Sequence, residues 1–428
     1  MMSSTDGRAV VDEVVALGGD DPDGLRSRFL RDYYEHVAPE DLVARSAADL
    51  LAAALGHWAV GAHRPAGQPV VRISNPDVEP GGWACAHTVV DIVTDDMPFL
   101  VDSVTMVLAA RDLGIHAVVH PMLHVARDAG GSIVAVGAGH PREAWIHLEV
   151  DRQGAAAARD ELAAATGRAL HDVRLVVDDW MEMREQAQAI ADEIRRGVPM
   201  PRVEAEDAAD LLRWMAADHF TFLGFRDYEI ATEDGHDVLR ALADTGRGLL
   251  RDANRPPRSQ RLDELPPAVR DRVREPRLLV VTKANSRSTV HRPDYFAYVS
   301  VKRFGREGEV VGERRFIGLW AASVYRSRAV DIPLLRRKVQ SVQARSELPL
   351  DSHGGRELRN ILETFPRDDL FQIGADELFT MAMGILNLQE RRQVRLFARR
   401  DDYGRFVSCL IYVPRDRYST AIVERMNE

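Results

Sequence analysis

TVVDIVTDDMPFLVDSVTMVLAARDLGIHAVVHPMLHVARD, residues 88–128, changes its hydrophobic period along its length and so decides the fold. TVVDIV (88–93) is β-branched and predicts a strand. Asp95-Asp96 then offers a helix N-cap, with Pro98 in the first helical turn. Leu100, Val104, Val107 and Leu108 follow at i, i+4, i+7 and i+8, the stripe of an amphipathic helix, and Gly114 stops it. IHAVVHPMLHVARD (115–128) reads as one long strand and AWIHLEV (144–150) as another. AAAARDELAAATG (155–167) predicts a helix ended by Gly167, and HDVRLVV (171–177) a final strand. The order βαββαβ is a split-βαβ, ferredoxin-like unit with one helical face and one open face.

Upstream, residues 21–62 read as helical, and the Pro- and Gly-rich stretch 64–82 as a linker. Downstream, Trp180, Met183, Ala187, Ile190 and Ile194 mark a connecting helix, and a second follows Pro201. FTFLGFRDYEI (220–230), RLLVVTKA (277–284), DYFAYVSVKRF (294–304) and EVVGERRFIGLWAA (309–322) are strand-like, with Gly305–Gly308 a hairpin turn. They predict a mostly antiparallel sheet. Residues 331–392 return to helix. A strand pair and the start of a helix from Arg417 close the sequence. One strand pair and one helix cannot close a core, so residue 428 reads as a cut inside a domain.

Composition narrows the function classes. The 428 residues suit several globular domains, and a net charge of −10 argues against nucleic-acid binding by bulk charge. Residues 271–345 run against that balance, with 17 Lys/Arg and 7 Asp/Glu; the block is either a solvated face or a seat for an anion or acidic neighbour. Two distant cysteines, Cys85 and Cys409, exclude an all-cysteine zinc site and a disulfide framework. No apolar run reaches membrane-spanning length, so a cytoplasmic, soluble protein is expected. The Gly-x-Gly spacings, 137/139 and 246/248, meet Arg142 and Arg251 where a dinucleotide fingerprint needs its third glycine. No catalytic constellation is recognisable, which favours a regulatory or scaffolding role.

TDDMPFLVDSVTMVLAARDLGIHAVVHP (94–121) is similar to the first strand-loop-helix-strand of ACT domains. More specifically, it resembles the N-terminal region of the large bacterial NAD-specific glutamate dehydrogenases. So, in order, do WIHLEVD (145–151), LLRWMAADHFTFLGFRDYEI (211–230), LLVVTKANSRSTVHRPDYFAYVSVKRF (278–304), GERRFIGLW (312–320), ILETFPRDDLFQ (361–372) and GRFVSCLIYVPRDRY (404–418). The resemblance implies an α+β multidomain region: an ACT-like βαββαβ module and an antiparallel PAS-like sheet domain joined by helical segments. The expected division is 1–84 helical segment and linker, 85–180 ACT-like, 181–219 connecting helices, 220–328 PAS-like, 329–392 helical, and 393–428 the start of a second ACT-like domain. It also implies a homo-oligomeric parent enzyme that uses NAD, with the catalytic region elsewhere in the polypeptide as a partner. No catalytic, cofactor or metal residue is expected in this chain. A stand-alone ACT-domain amino-acid sensor is the alternative.

Three candidate sites follow. The turn Asp95, Asp96, Met97, Pro98, Phe99 and Asp102 opens a helix, where backbone N–H groups can hold a carboxylate and the acids an ammonium. Many ligand-binding ACT loops carry Gly after the proline, where this chain has Phe99; a structural turn, with Asp96 capping and Phe99 packed inward, is the other reading. His116, His120 and His124 share a strand face, too spread for one metal but free to line the open side, where His120 can meet His147 or Glu149. The segment with Lys283, Asn285, Arg287, His291 and Arg292 suits either an anion or an interdomain contact. Beyond these, a metal-dependent enzyme using His120 and His147 is the remaining reading.

Overall fold

A computed structural model describes residues 4–19, 21, 23–77, 85–255, 259–388, 393–401, 404, 406–414, 418–420 and 424–425. They form two compact units, residues 1–177 with 289–293, and 178–288 with 294–428.

The first unit opens with four helices: α1 (Ser4–Leu17), α2 (Leu25–Tyr34), α3 (Pro39–Val43) and α4 (Ala47–Gly61). Ser46 caps α4, its hydroxyl accepting from the Asp49 N–H. The sheet then combines β1 (Val70–Ser74), β2 (Thr88–Asp95), β3 (Ile115–Val119), β4 (Met122–Arg127), β5 (Ile133–Val136) and β6 (Arg142–Val150). Helix α5 (Leu100–Ala109) follows β2, and α6 (Ala156–Asp178) follows β6. The strand order is β1-β2-β6-β4-β5, with β3 also on β6.

Three expectations need correction. HDVRLVV is not a strand but the last part of α6, whose buried Leu162, Thr166, Ala169, Val173 and Val176 keep a helical period through it. The place beside β2 is taken instead by β1, from the stretch read as a linker, paired antiparallel from Val70↔Val93 to Ser74↔Val89. The long strand 115–128 breaks at His120-Pro121 into β3 and β4, since proline has no N–H for the ladder.

A fourth correction concerns the open face. Period 2 puts Val89, Asp91, Val93 and Asp95 of β2 on one side with their register partners Glu149, His147, Trp145 and Glu143 of β6. This side is covered: Phe29, Tyr33, Tyr34, Leu50 and Ala54 of α2 and α4 pack with Val93, Leu123, Val125 and Trp145. Ile92, Ile146 and Leu148 point the opposite way and are fully buried, as are the stripes Leu100, Val104 and Leu108 of α5 and Leu162 and Val173 of α6. The module therefore has two buried faces.

The second unit begins with α7 (Trp180–Arg196) and α8 (Arg202–Trp214). A seven-stranded antiparallel sheet follows: β7 (Phe220–Glu233), β8 (His236–Ala241), β9 (Arg247–Gly248), β10 (Gln260–Arg261), β11 (Leu279–Arg287), β12 (Tyr295–Phe304) and β13 (Val310–Trp320). All four expected runs are strands, and the Gly305–Gly308 hairpin closes through the Gly305 N–H on Glu309 O. Helix α9 (Pro267–Arg274) precedes β11. One sheet face, with Phe222, Val299, Val301 and Phe316, shares a core with α7, α8 and a helical layer. That layer is α10 (Ala322–Arg326), α11 (Leu335–Arg345), α12 (His353–Thr364), α13 (Arg367–Gln372) and α14 (Ala375–Leu386). Strands β14 (Arg395–Arg400) and β15 (Val407–Tyr412) pair antiparallel. Most of the helix expected from Arg417 lies outside the described residues. No described helix is long and apolar enough to cross a membrane.

The end of α4 meets the sheet at Gly61, where a Cβ would stand 2.1 Å from the buried Trp145 ring. Gly61→Ala should therefore overpack this contact and cost about 1–3 kcal/mol. Urea unfolding, read by labelling of buried Cys85 in a Cys409→Ser background, measures it. An unchanged midpoint would contradict this packing.

Candidate functional site

Beneath α2 and α4 the sheet carries a row of buried charges. His57, Asp91, His147 and Glu149 are all at most 3% exposed. Asp91 and His147 stand opposite each other on β2 and β6, and His147 Nδ1–H donates to Asp91 Oδ1 at 2.7 Å. Arg72 of β1 holds the other Asp91 oxygen at 2.8 Å. His147 Nε2 faces Glu149 Oε1 at 3.6 Å, and Arg45 grips Glu149 with both terminal nitrogens. The result is an alternating ladder, Arg72–Asp91–His147–Glu149–Arg45. Burial alone would neutralise His147, but the hydrogen bond to Asp91 and the two carboxylates outweigh it and raise its pKa to about 9. Burial likewise opposes the Glu149 anion, yet His147 and Arg45 hold it at about 2. His57 differs: burial dominates and drops it to about 4. Its Nε2–H donates to Ile92 O at 3.1 Å, so its Nδ1 accepts from the Tyr33 hydroxyl at 2.9 Å.

Ligand atoms of His57, Asp91 and His147 lie within 4.8 Å of one another, a spacing that invites a metal. The donors do not fit one. Both His57 nitrogens are engaged, His147 presents a proton to Asp91, and the ladder already sets three cations against two carboxylates.

A second ladder reaches the turn. Glu143 is clasped by Arg127 (2.6 and 2.9 Å) and Arg64 (2.7 Å), and accepts from the Trp145 indole at 3.2 Å. Arg64 continues to Asp95 at 2.8 Å, and Arg174 of α6 takes the second Asp95 oxygen at 2.6 Å. Asp96 pairs with Arg142 at 2.9 Å and does not cap α5. His291, expected in a separate site, sits here: its Nδ1 is 3.2 Å from Asp102 Oδ2, and its N–H donates to Ser103 Oγ. Phe99 is half-buried with its ring 4.9 Å from the His291 ring, not packed into the core. Its φ of 70° is the left-handed conformation that glycine adopts at least cost. Met97 is half-buried and Pro98 exposed. Each acid of the turn thus already has a side-chain partner, an arginine for Asp95 and Asp96 and the His291 ring for Asp102.

The remaining candidates scatter. Val119, not His120, stands opposite His147, so the expected His120 contact with His147 or Glu149 is not made. His120 lies in the break before Pro121, its pKa lowered by burial. His116 pairs with Asp151 at 2.8 Å and stacks on His87, while His124 Nδ1 bonds the His140 carbonyl. Lys283 bonds Asp368 at 2.8 Å in the second unit and, with Asn285, borders a cavity there. Arg287 stands 5.0 Å over the Tyr295 ring, and the Arg292 N–H donates to Val290 O.

Comparison with known proteins now bears on the whole arrangement. Residues 29–166 match the description "Glutamate dehydrogenase, ACT1 domain", 332–391 "Glutamate dehydrogenase, helical motif 1", and 395–428 "Glutamate dehydrogenase, ACT2 domain". The chain belongs to the glutamate dehydrogenase family. The NAD-specific glutamate dehydrogenases of Halomonas elongata and Pseudomonas aeruginosa are each 37% identical to it, over 94% and 92% of the chain. That of Mycobacterium tuberculosis is 30% identical over 94%. The chain spans about a quarter of the length of these relatives: 25%, 25% and 24%. The family's ACT1 match begins inside α2, so most of the helical cover belongs to the matched domain.

Sequence reasoning missed Tyr33, Arg45, His57, Arg64 and Arg72. The available signal was Asp91 and Asp95 two pleats apart in a β-branched strand: buried carboxylates demand partners. The two histidines make a pH prediction. His147 is raised from 6.5 to about 9, so its contribution is full below pH 6.5 and lost as pH rises through 9. His57 is depressed from 6.5 to about 4, so its contribution is full above pH 6.5 and lost as pH falls through 4. Stability of this unit should peak near pH 6.5, each limb being worth on the order of 3 kcal/mol. The Cys85 readout across pH 4–9 should show that peak, with the alkaline limb flattened in His147→Gln. A flat profile from pH 6.5 to 9 would refute the assignment.

Proposed function

We propose that this chain is the N-terminal regulatory and oligomerisation region of an NAD-dependent glutamate dehydrogenase. The whole enzyme would convert L-glutamate, NAD and water to 2-oxoglutarate, ammonium and NADH in the cytoplasm as a homo-oligomer. The observation that carries this reading is the ordered series of ACT1, helical motif 1 and ACT2 along a chain a quarter as long as its relatives. The chemistry of the residues agrees. Gly137/Gly139 and Gly246/Gly248 lack the third glycine of a dinucleotide turn, and Gly246 and Gly248 serve β9 instead of a strand-to-helix crossover.

In this reading the ACT module is a rigid block, fixed on one face by its charge ladders and on the other by α5 and α6. Its partner is the enzyme's own catalytic region, and regulation passes through contacts with it. The acids of the β2–α5 turn are spent on Arg64, Arg142, Arg174 and His291, so the turn acts mainly as a lock, and an effector there must displace one of those side chains. The purified 428-residue chain should give no NADH from glutamate and NAD, followed at 340 nm. Sustained turnover by the chain alone would overturn the proposal.

A further inference from the structure

In the second unit, the sheet face turned away from Val299, Val301 and Phe316 carries three cations and one carboxylate. Arg226 of β7 stands directly opposite Arg315 of β13, and Lys302 of β12 directly opposite Glu313 of β13. Glu313 is saturated. It accepts from the Tyr298 hydroxyl (2.6 Å), the Ser300 hydroxyl (2.8 Å), Lys302 Nζ (3.0 Å) and Arg315 Nη2 (2.7 Å). The Arg315 guanidinium also lies 3.8 Å from the Tyr228 ring centre and 4.9 Å from that of Tyr298. Among the described residues no second carboxylate bonds any of the three cations, which leaves the group two positive charges in surplus.

Arg226 is the unmatched member. It is 4% exposed, its Nε has no hydrogen-bond partner among the described residues, and its Nη2 donates to the Leu250 carbonyl. Burial and the facing Arg315 both oppose its charge. Like charges directly opposite on neighbouring strands repel, and one neutral carbonyl does not compensate a buried guanidinium. The loop that supplies this carbonyl closes tightly over the arginine. A Cβ on Gly246 would stand 2.6 Å from Arg226 Nη2, and Gly248, at φ 58°, takes the left-handed conformation that favours glycine. Asp179 anchors the loop, accepting from the Gly248 N–H at 2.7 Å and Arg251 Nε at 2.5 Å. Solvent reaches the group beside Arg315, whose side chain is 21% exposed, and the half-buried Tyr298.

We propose that Arg226 and Arg315 together bind a phosphate dianion, free or as the phosphate group of a small metabolite, which takes the place of the Leu250 carbonyl on Arg226. Two surplus charges call for a dianion. Two guanidinium groups on adjacent strands call for a tetrahedral group, because a carboxylate has only two oxygens and one arginine fork takes both. Arg315 keeps its bonds to Glu313 through Nε and Nη2 and offers the ligand Nη1. This site goes beyond the regulatory reading. Binding is measured on the chain itself, so it stands or falls separately from NADH production.

Calorimetric titration of the chain with sodium phosphate, in phosphate-free buffer of low ionic strength at pH 7.5, tests it. One phosphate should bind per chain, and formate, a monoanion, at least tenfold more weakly. Methyl phosphate separates the two sources: binding within tenfold of phosphate assigns the site to a phosphorylated metabolite, and weaker binding to the free ion. Arg226→Leu should abolish phosphate binding, and phosphate should raise the urea midpoint of the wild-type chain but not of this variant. Arg226→Lys keeps the charge and loses the fork; it should bind tenfold or more weakly, and it keeps the test valid if the leucine variant misfolds. Failure of the wild-type chain to bind phosphate overturns the proposal. So does phosphate binding that matches formate's or survives unchanged in either variant.

Discussion

The hydrogen bond between Asp91 and His147 sets the terms for the first unit. Two central strands place a carboxylate and an imidazole opposite each other on a face that is then buried. Burying a charge without a partner costs several kcal/mol, so the cover over that face must carry charges and hydrogen-bonding groups of its own. Helices α2 and α4, with the segments after them, do so: Tyr33, Arg45, His57, Arg64 and Arg72 each reach the row of acids and imidazoles or the neighbouring histidine. The N-terminal helices are thereby bound to this sheet in one register, because a slip would strand Glu149, Asp91 and Glu143 together.

That constraint also explains which parts of the sequence were legible. Local periodicity found β2, α5 and β6, and found β7, β11, β12 and β13, because each buries a regular stripe. It failed where the deciding partner lay elsewhere. Val173, Val176 and Val177 favour a strand, but β1 already occupies the sheet position they would fill, and their helical spacing with Leu162 and Ala169 prevails. The short run Val70–Ser74 looked like linker because only its pairing with β2 makes it a strand. The even spacing of His116, His120 and His124 presumed one unbroken strand, which Pro121 does not permit.

The candidate sites divide on the same principle. Sequence placed the acids of the β2–α5 turn but could not show that Arg64, Arg142, Arg174 and His291 partner them, since those residues are scattered from position 64 to 291. Nor could it show that Lys283 and His291, eight residues apart, serve different places: one borders a cavity, the other locks a turn.

The central claim is that His147 is a buried imidazolium held between two carboxylates. Nitrogen-15 NMR of histidine-labelled chain at pH 7.5, with the His147 signal assigned by its loss in His147→Gln, tests it most directly. Both His147 ring nitrogens should carry protons while His57 shows one protonated and one bare nitrogen. A bare nitrogen on His147 at that pH would contradict the ladder and the account of the fold built on it.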